Sequence, residues 1–183
     1  KTPGRTQQMV AFALPPLAQG EGMPPLDVRL IDLPGYGYAK VPEPLREHWK
    51  REIDAYLHQR RSLRGVVLIV DIRHPLKEFD RMMLAFCQDT ALPCHVLLTK
   101  ADKLNRNEST NALRQAQQVL DSYVDEDGNG FPFTVQLFSA LKRIGIDEAN
   151  DKIIELFGLA DDDTGAQPAP AADDGNGDGQ AAD

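Results

Sequence analysis

The sequence predicts an α/β protein, a three-layer sandwich with helices on either side of a mostly parallel sheet. Apolar residues switch repeatedly between strand and helix periodicity, in the order β-β-α-β-α-β-α-β-α. The segment Val66 to Asp71 is a continuous β-branched run, the pattern of a parallel strand covered on both faces. The length of 183 residues, with 42% hydrophobic and 26% charged content, suits one domain and excludes two large ones.

The elements follow in order. Met9 to Leu14 and Val28 to Asp32 alternate as strands, joined by the Pro/Gly-rich stretch Leu14 to Pro25, which is too irregular for a helix. Leu45, Trp49, Ile53, Tyr56 and Leu57 make a helical stripe before the run at Val66. Phe79, Met83, Phe86 and Cys87 form the next stripe, and Cys94 to Thr99 the next buried strand. Leu113, Ala116, Leu120 and Val124 mark another helix, Thr134 to Ser139 another strand, and Ile146, Ala149, Ile153, Leu156 and Phe157 the last helix. No internal repeat appears.

The longest interior apolar run, Val66 to Val70, is far short of the ~20 residues a membrane helix needs. No secretory leader opens the chain, so the expectation is a soluble cytoplasmic protein with no membrane partner. Lys1 stands where a Met would begin a native chain, and the native start is expected upstream. Cys87 and Cys94 are expected to be two reduced, buried thiols. Of the net charge of -8, the seven aspartates at 161, 162, 163, 173, 174, 178 and 183 supply nearly all, and residues 1–159 are near neutral. With no aromatic or large apolar residue after Leu159, residues 160–183 are expected to form a disordered acidic Asp/Ala/Gly/Pro tail beyond a single domain at 1–159.

Ligands of parallel α/β sheets bind at the carboxyl ends of the strands, and those positions carry a coherent chemistry here. Asp32-Leu33-Pro34-Gly35 follows the second strand. Asp32 is suited to holding Mg²⁺ through water and Gly35 to offering a backbone N–H to a phosphate; a plain Asp-x-Pro-Gly turn explains the same residues equally well. Thr99-Lys100-Ala101-Asp102 follows a later strand. A fixed carboxylate there accepts two hydrogen bonds from guanine N1–H and its exocyclic amino group, and a Lys stem lies over the base plane; adenine lacks the donor pair. Solvated loop charges are the competing explanation. Ser139-Ala140 follows the last strand, where a backbone N–H reaches guanine O6 or, alternatively, Ser139 caps a helix.

The order of these motifs resembles the TrmE-Era-EngA-EngB-septin-like class of P-loop GTPases. Asp32-Leu-Pro-Gly-Tyr-Gly-Tyr-Ala-Lys-Val41 looks like the signature of its EngB (YihA/YsxC) family, bacterial ribosome-biogenesis GTPases. Lys1-Thr-Pro-Gly-Arg-Thr-Gln7, Asp71-Ile-Arg-His-Pro-Leu76, Thr99-Lys-Ala-Asp-Lys103 and Phe138-Ser-Ala-Leu-Lys142 extend the resemblance over residues 1–158. It implies a Ras-like fold and GTP or GDP with Mg²⁺ as cofactors. It implies a role in large ribosomal subunit assembly and in normal septation during cell division, with the subunit or its precursor, through rRNA or ribosomal protein, as partner, and no DNA. By the same resemblance Thr6 is the switch threonine on Mg²⁺, Asp32 holds the metal through water and Gly35 meets the γ-phosphate. Thr99, Lys100, Asp102, Ser139 and Ala140 read guanine.

One departure is large. The Gly-x-x-x-x-Gly-Lys-Ser/Thr phosphate loop occurs nowhere in the chain. The expectation is a fold lacking its first strand, phosphate loop and first helix, with the strand gap between the second strand and Val66, and with GTP hydrolysis belonging to the intact parent. Tyr36 stands where Ras-type enzymes carry a water-orienting Gln, so no catalytic residue is assigned. Arg60, Arg61 and Arg64 suit either a helix C-terminus or rRNA phosphates, and His74 is expected to be structural. Two other readings stay open. One is a nucleotide-independent ribosome- or rRNA-binding module; the other is a flavodoxin- or receiver-like scaffold using Asp32 and Asp71, which leaves Thr99 to Asp102 and Ser139-Ala140 unexplained.

Overall fold

The computed structural model describes residues 9–18, 22–33, 51, 53, 55–57 and 59–158. Thr6, Gly35, Tyr36, Tyr38, Leu45, Trp49 and the acidic stretch from 160 onward lie outside the described residues. Strands β1 (Val10–Ala13) and β2 (Arg29–Asp32) pair antiparallel, Val10 opposite Asp32. The irregular stretch between them is pinned by two backbone bonds, Leu17 N–H to Leu26 O and Leu26 N–H to Leu17 O. The described residues of 51–59 are helical, with Ile53 and Leu57 buried as the stripe predicts.

The larger sheet contains β3 (Val66–Asp71), β4 (Cys94–Thr99) and β5 (Phe133–Leu137), parallel and in that spatial order. Helices α1 (Glu78–Asp89), α2 (Arg106–Leu120) and α3 (Ile146–Leu156) follow β3, β4 and β5 in turn. Each helix starts for a local reason. At α1 the Asp80 carboxylate accepts the Lys77 N–H; at α2 Asn105 and Glu108 exchange side-chain and backbone bonds as a capping box. At α3 the chain turns through Gly145 at φ +68, where a Cβ would collide with the Leu137 carbonyl oxygen and stand 2.5 Å from Gln136 Nε2. Only glycine serves there.

The β-β-α-β-α-β-α-β-α order is therefore observed, and the fold is α/β with a parallel sheet between helices. β2 and β3 are not hydrogen-bonded to each other, a break that falls where the sequence places its strand gap. The core lies on one face of the sheet, where Leu68, Val70, Cys94, Val96 and Leu98 meet Leu84 and Cys87 of α1 and Ala116 and Leu120 of α2. Both thiols are free and buried; bonding to Cys87, then burial, pushes the Cys94 thiol up. On the opposite face α3 lies near His95, and its Leu156 comes against Gly65.

Two expectations are corrected. β3 is not fully covered on both faces: on the outer face Val67 is half-buried, but Ile69, which lies opposite Leu97 in the register, is 61% exposed while Leu97 is 5% exposed. Val124 is not part of the helical stripe, since α2 ends at Leu120 and Val124 bridges to Gly130 across a turn closed by Asp125 and Asn129. No helix of the described residues is long and apolar enough to cross a membrane.

Candidate functional site

Parallel strands deliver their carboxyl ends to one edge of the sheet, and here that edge gathers polar side chains. β3 closes on Asp71, which pairs in register with Thr99 at the end of β4. The Thr99 hydroxyl donates to Val70 O at 2.8 Å, tying the two strand ends together. The chain then turns at Lys100 through the left-handed region, φ +61 and ψ 31, a conformation costing about 1–2 kcal/mol for a residue with a Cβ. A short 3₁₀ turn, Ala101–Lys103, follows. Its Ala101 N–H donates to Phe138 O and the Phe138 N–H to Leu98 O, which stitches this turn to the exit of β5.

Asp102 and Ser139 meet in the middle. Ser139 Oγ donates to Asp102 Oδ1 at 2.6 Å, since an ionised carboxylate can only accept, and the same hydroxyl oxygen accepts the Lys142 N–H at 3.1 Å. Ser139 is buried, exchanging backbone bonds with Ile144 across its turn. The Asp102 side chain is 7% exposed, with Lys103 Nζ at 3.4 Å from Oδ2. The Ser139 hydrogen bond, with help from Lys103, holds its carboxyl below the usual range, so it is ionised at neutral pH. Beside it Ala140 is exposed, and among the described residues its N–H has no acceptor. The fixed carboxylate can accept from a pair of N–H donors while the open Ala140 N–H can donate to a neighbouring carbonyl, matching the hydrogen-bonding edge of a guanine-like ring.

A second cluster adjoins the first. Asp71 Oδ1 accepts the Arg73 N–H at 3.1 Å and Nε at 2.9 Å, while Oδ2 accepts Arg73 Nη2 at 2.7 Å and Lys100 Nζ at 2.7 Å. The Arg73 guanidinium, and after it the Lys100 ammonium, hold the Asp71 carboxyl well below the usual carboxylate range.

Of the residues singled out from sequence, the structure brings together Thr99, Lys100, Asp102, Ser139 and Ala140. Asp32 ends β2 on the smaller sheet, exposed, with no hydrogen bond to this set among the described residues. Thr6 and Gly35 are outside the described residues. Arg60, Arg61 and Arg64 are exposed, Arg60 lying 5.3 Å over the Tyr56 ring; His74 is exposed and its N–H closes a turn onto Asp71 O. Sequence reasoning gave Arg73 no role in the site, and Asp71 one only in the flavodoxin- or receiver-like alternative. The available signal was a carboxylate ending an apolar strand, but its pairing with Lys100 needs the strand register.

No protein-family model matches the chain. Among curated proteins it is 52% identical over 168 residues to the "Probable GTP-binding protein EngB" of Herminiimonas arsenicoxydans, covering 88% of this chain and 70% of the relative. It is 49% identical over 180 residues to the protein of the same name from Janthinobacterium sp. (strain Marseille), covering 95% and 77%. Among solved structures, translation elongation factor SelB from Methanococcus maripaludis in complex with the GTP analogue GppNHp superposes with a TM-score of 0.58 at 19% identity, over 84% of this chain. The chain spans 28% of that factor's length, and the likeness shows a shared fold.

Proposed function

The chain belongs to the EngB family of GTP-binding proteins, and from that premise we propose that it binds guanine nucleotides at the carboxyl ends of β4 and β5. The observation that carries this reading is the Asp102 carboxylate, ionised and aimed by the 2.6 Å bond from Ser139, beside the open N–H of Ala140. Asp102 accepts guanine N1–H and the exocyclic amino group, Ala140 N–H donates to O6, and the Lys100 stem flanks the base. Thr99 keeps the loop on the sheet through Val70.

Mg²⁺ characteristically takes one or two carboxylates and completes its shell with phosphate oxygens and water. Asp32, an exposed carboxylate at the end of β2, suits an ion carried in that way. In this reading Asp32 and Thr6 hold the ion and Gly35 contacts the γ-phosphate; the bound ion supplies charge neutralisation at the phosphates. Residues 1–159 act as a GTP-dependent domain and 160–183 as a solvated acidic tail. The family resemblance supports a cytoplasmic role in large ribosomal subunit assembly and septation, with GTP hydrolysis as the reaction.

Asp102→Asn tests the reading by calorimetry. An amide turns the acceptor into a donor, so the variant loses about 100-fold or more in GDP affinity and gains affinity for xanthosine diphosphate, whose ring carries an oxygen where guanine has its amino group. Unchanged GDP affinity would sink it and favour a nucleotide-independent ribosome-binding module.

A further inference from the structure

We propose that Asp71 is a positioning residue for nucleotide binding, acting through Lys100, and that Arg73 locks Asp71 for that task. This rests on the guanine-nucleotide reading of the Asp102 site. The geometry is a pair of opposed tethers on one short loop. Asp102 is drawn toward β5 by Ser139 at 2.6 Å, and Lys100 is drawn toward β3 by Asp71 at 2.7 Å. Lys100 therefore links the end of β4 to the end of β3, while Asp102 is tied to the exit of β5.

A lysine has four rotatable bonds, and ordering it on ligand binding costs affinity. Anchoring its ammonium in advance removes much of that cost and presents the methylenes as a fixed wall against a purine. The anchor is itself tethered, because Arg73 bonds to both Asp71 oxygens and adds its own backbone N–H. Sheet stability does not account for the arrangement. Lys100 and Arg73 have side chains 54% and 46% exposed, and ion pairs that open to water stabilise folds little, whereas Lys100 also adopts a strained left-handed backbone.

The test is calorimetric titration of the full chain with GDP, ADP and xanthosine diphosphate. Asp71→Asn should weaken GDP about 3- to 5-fold, the upper range for an ion pair open to water. Lys100→Met, which keeps an apolar stem without the ammonium, should lose a similar factor. Adding Asp71→Asn to Lys100→Met should then weaken GDP no more than about 2-fold further. The preference for GDP over xanthosine diphosphate should be unchanged in Asp71→Asn, since Asp102 and Ser139 are untouched. Full GDP affinity in Asp71→Asn, equal losses in both backgrounds, or an eroded guanine preference overturns the proposal while leaving the guanine site standing. Wild-type protein that binds GDP no better than ADP overturns the site and this proposal together.

Discussion

His95 shows how much a single residue specifies. It is buried at 2% exposure between β4 and β5, with Nδ1 2.7 Å from Thr134 Oγ and Nε2 2.8 Å from Gln136 Oε1. Gln136 Nε2 donates to Gly145 O, so its oxygen faces the histidine and can only accept; Nε2 carries the proton and Nδ1 accepts from Thr134. The ring is fully bonded while neutral, and burial lowers its pKa from the ordinary 6.5. The unfolded chain takes up this proton first, so the His95 contribution is intact above pH 6.5 and is lost as pH falls below it toward the folded value. Urea denaturation at pH 8 and pH 5.5 should show wild type losing more stability than His95→Gln; parallel losses would mean His95 does not titrate with folding. At this scale the sequence was readable where chemistry is local. Asp102 stands out in Thr-Lys-x-Asp, whereas the bond from Ser139 and the Asp71–Lys100 pair join residues 37 and 29 positions apart.

At the scale of elements, periodicity marked every strand and helix but not what covers them. The β3 run is apolar throughout, and a continuous run reads as covered on both faces. In the structure Leu68 and Val70 are buried against the α1 and α2 side, while on the other face Val67 is half-buried and Ile69 exposed beside the buried Leu97. That depends on where α3 lands, which a run of apolar residues does not encode. Leu68→Ala should cost about 2–5 kcal/mol through lost burial and a cavity. Ile69→Thr should change stability by no more than about 0.5 kcal/mol. Urea denaturation of both variants checks this; a cost at Ile69 rivalling that at Leu68 would mean the outer face of β3 is packed. The end of α2 was misplaced for a related reason, since Val124 keeps the helical spacing while the chain has already turned.

At the scale of the molecule, parallel topology makes the site. Asp71, Lys100, Asp102 and Ser139 come from the ends of three strands, and only the order β3-β4-β5 sets them side by side. The sequence order alone pointed to this edge, and Thr99-Lys-x-Asp102 with the family resemblance pointed to guanine as its proposed ligand; the Asp71–Arg73 anchor required the folded register. The central claim is that this edge selects guanine over adenine. Calorimetric titration of the wild-type chain with GTP and with ATP, both with Mg²⁺, is the direct measurement. The Asp102, Ser139 and Ala140 arrangement predicts a preference for GTP of about 100-fold or more, because adenine leaves the buried carboxylate without its donor pair. Equal affinities for GTP and ATP would contradict it.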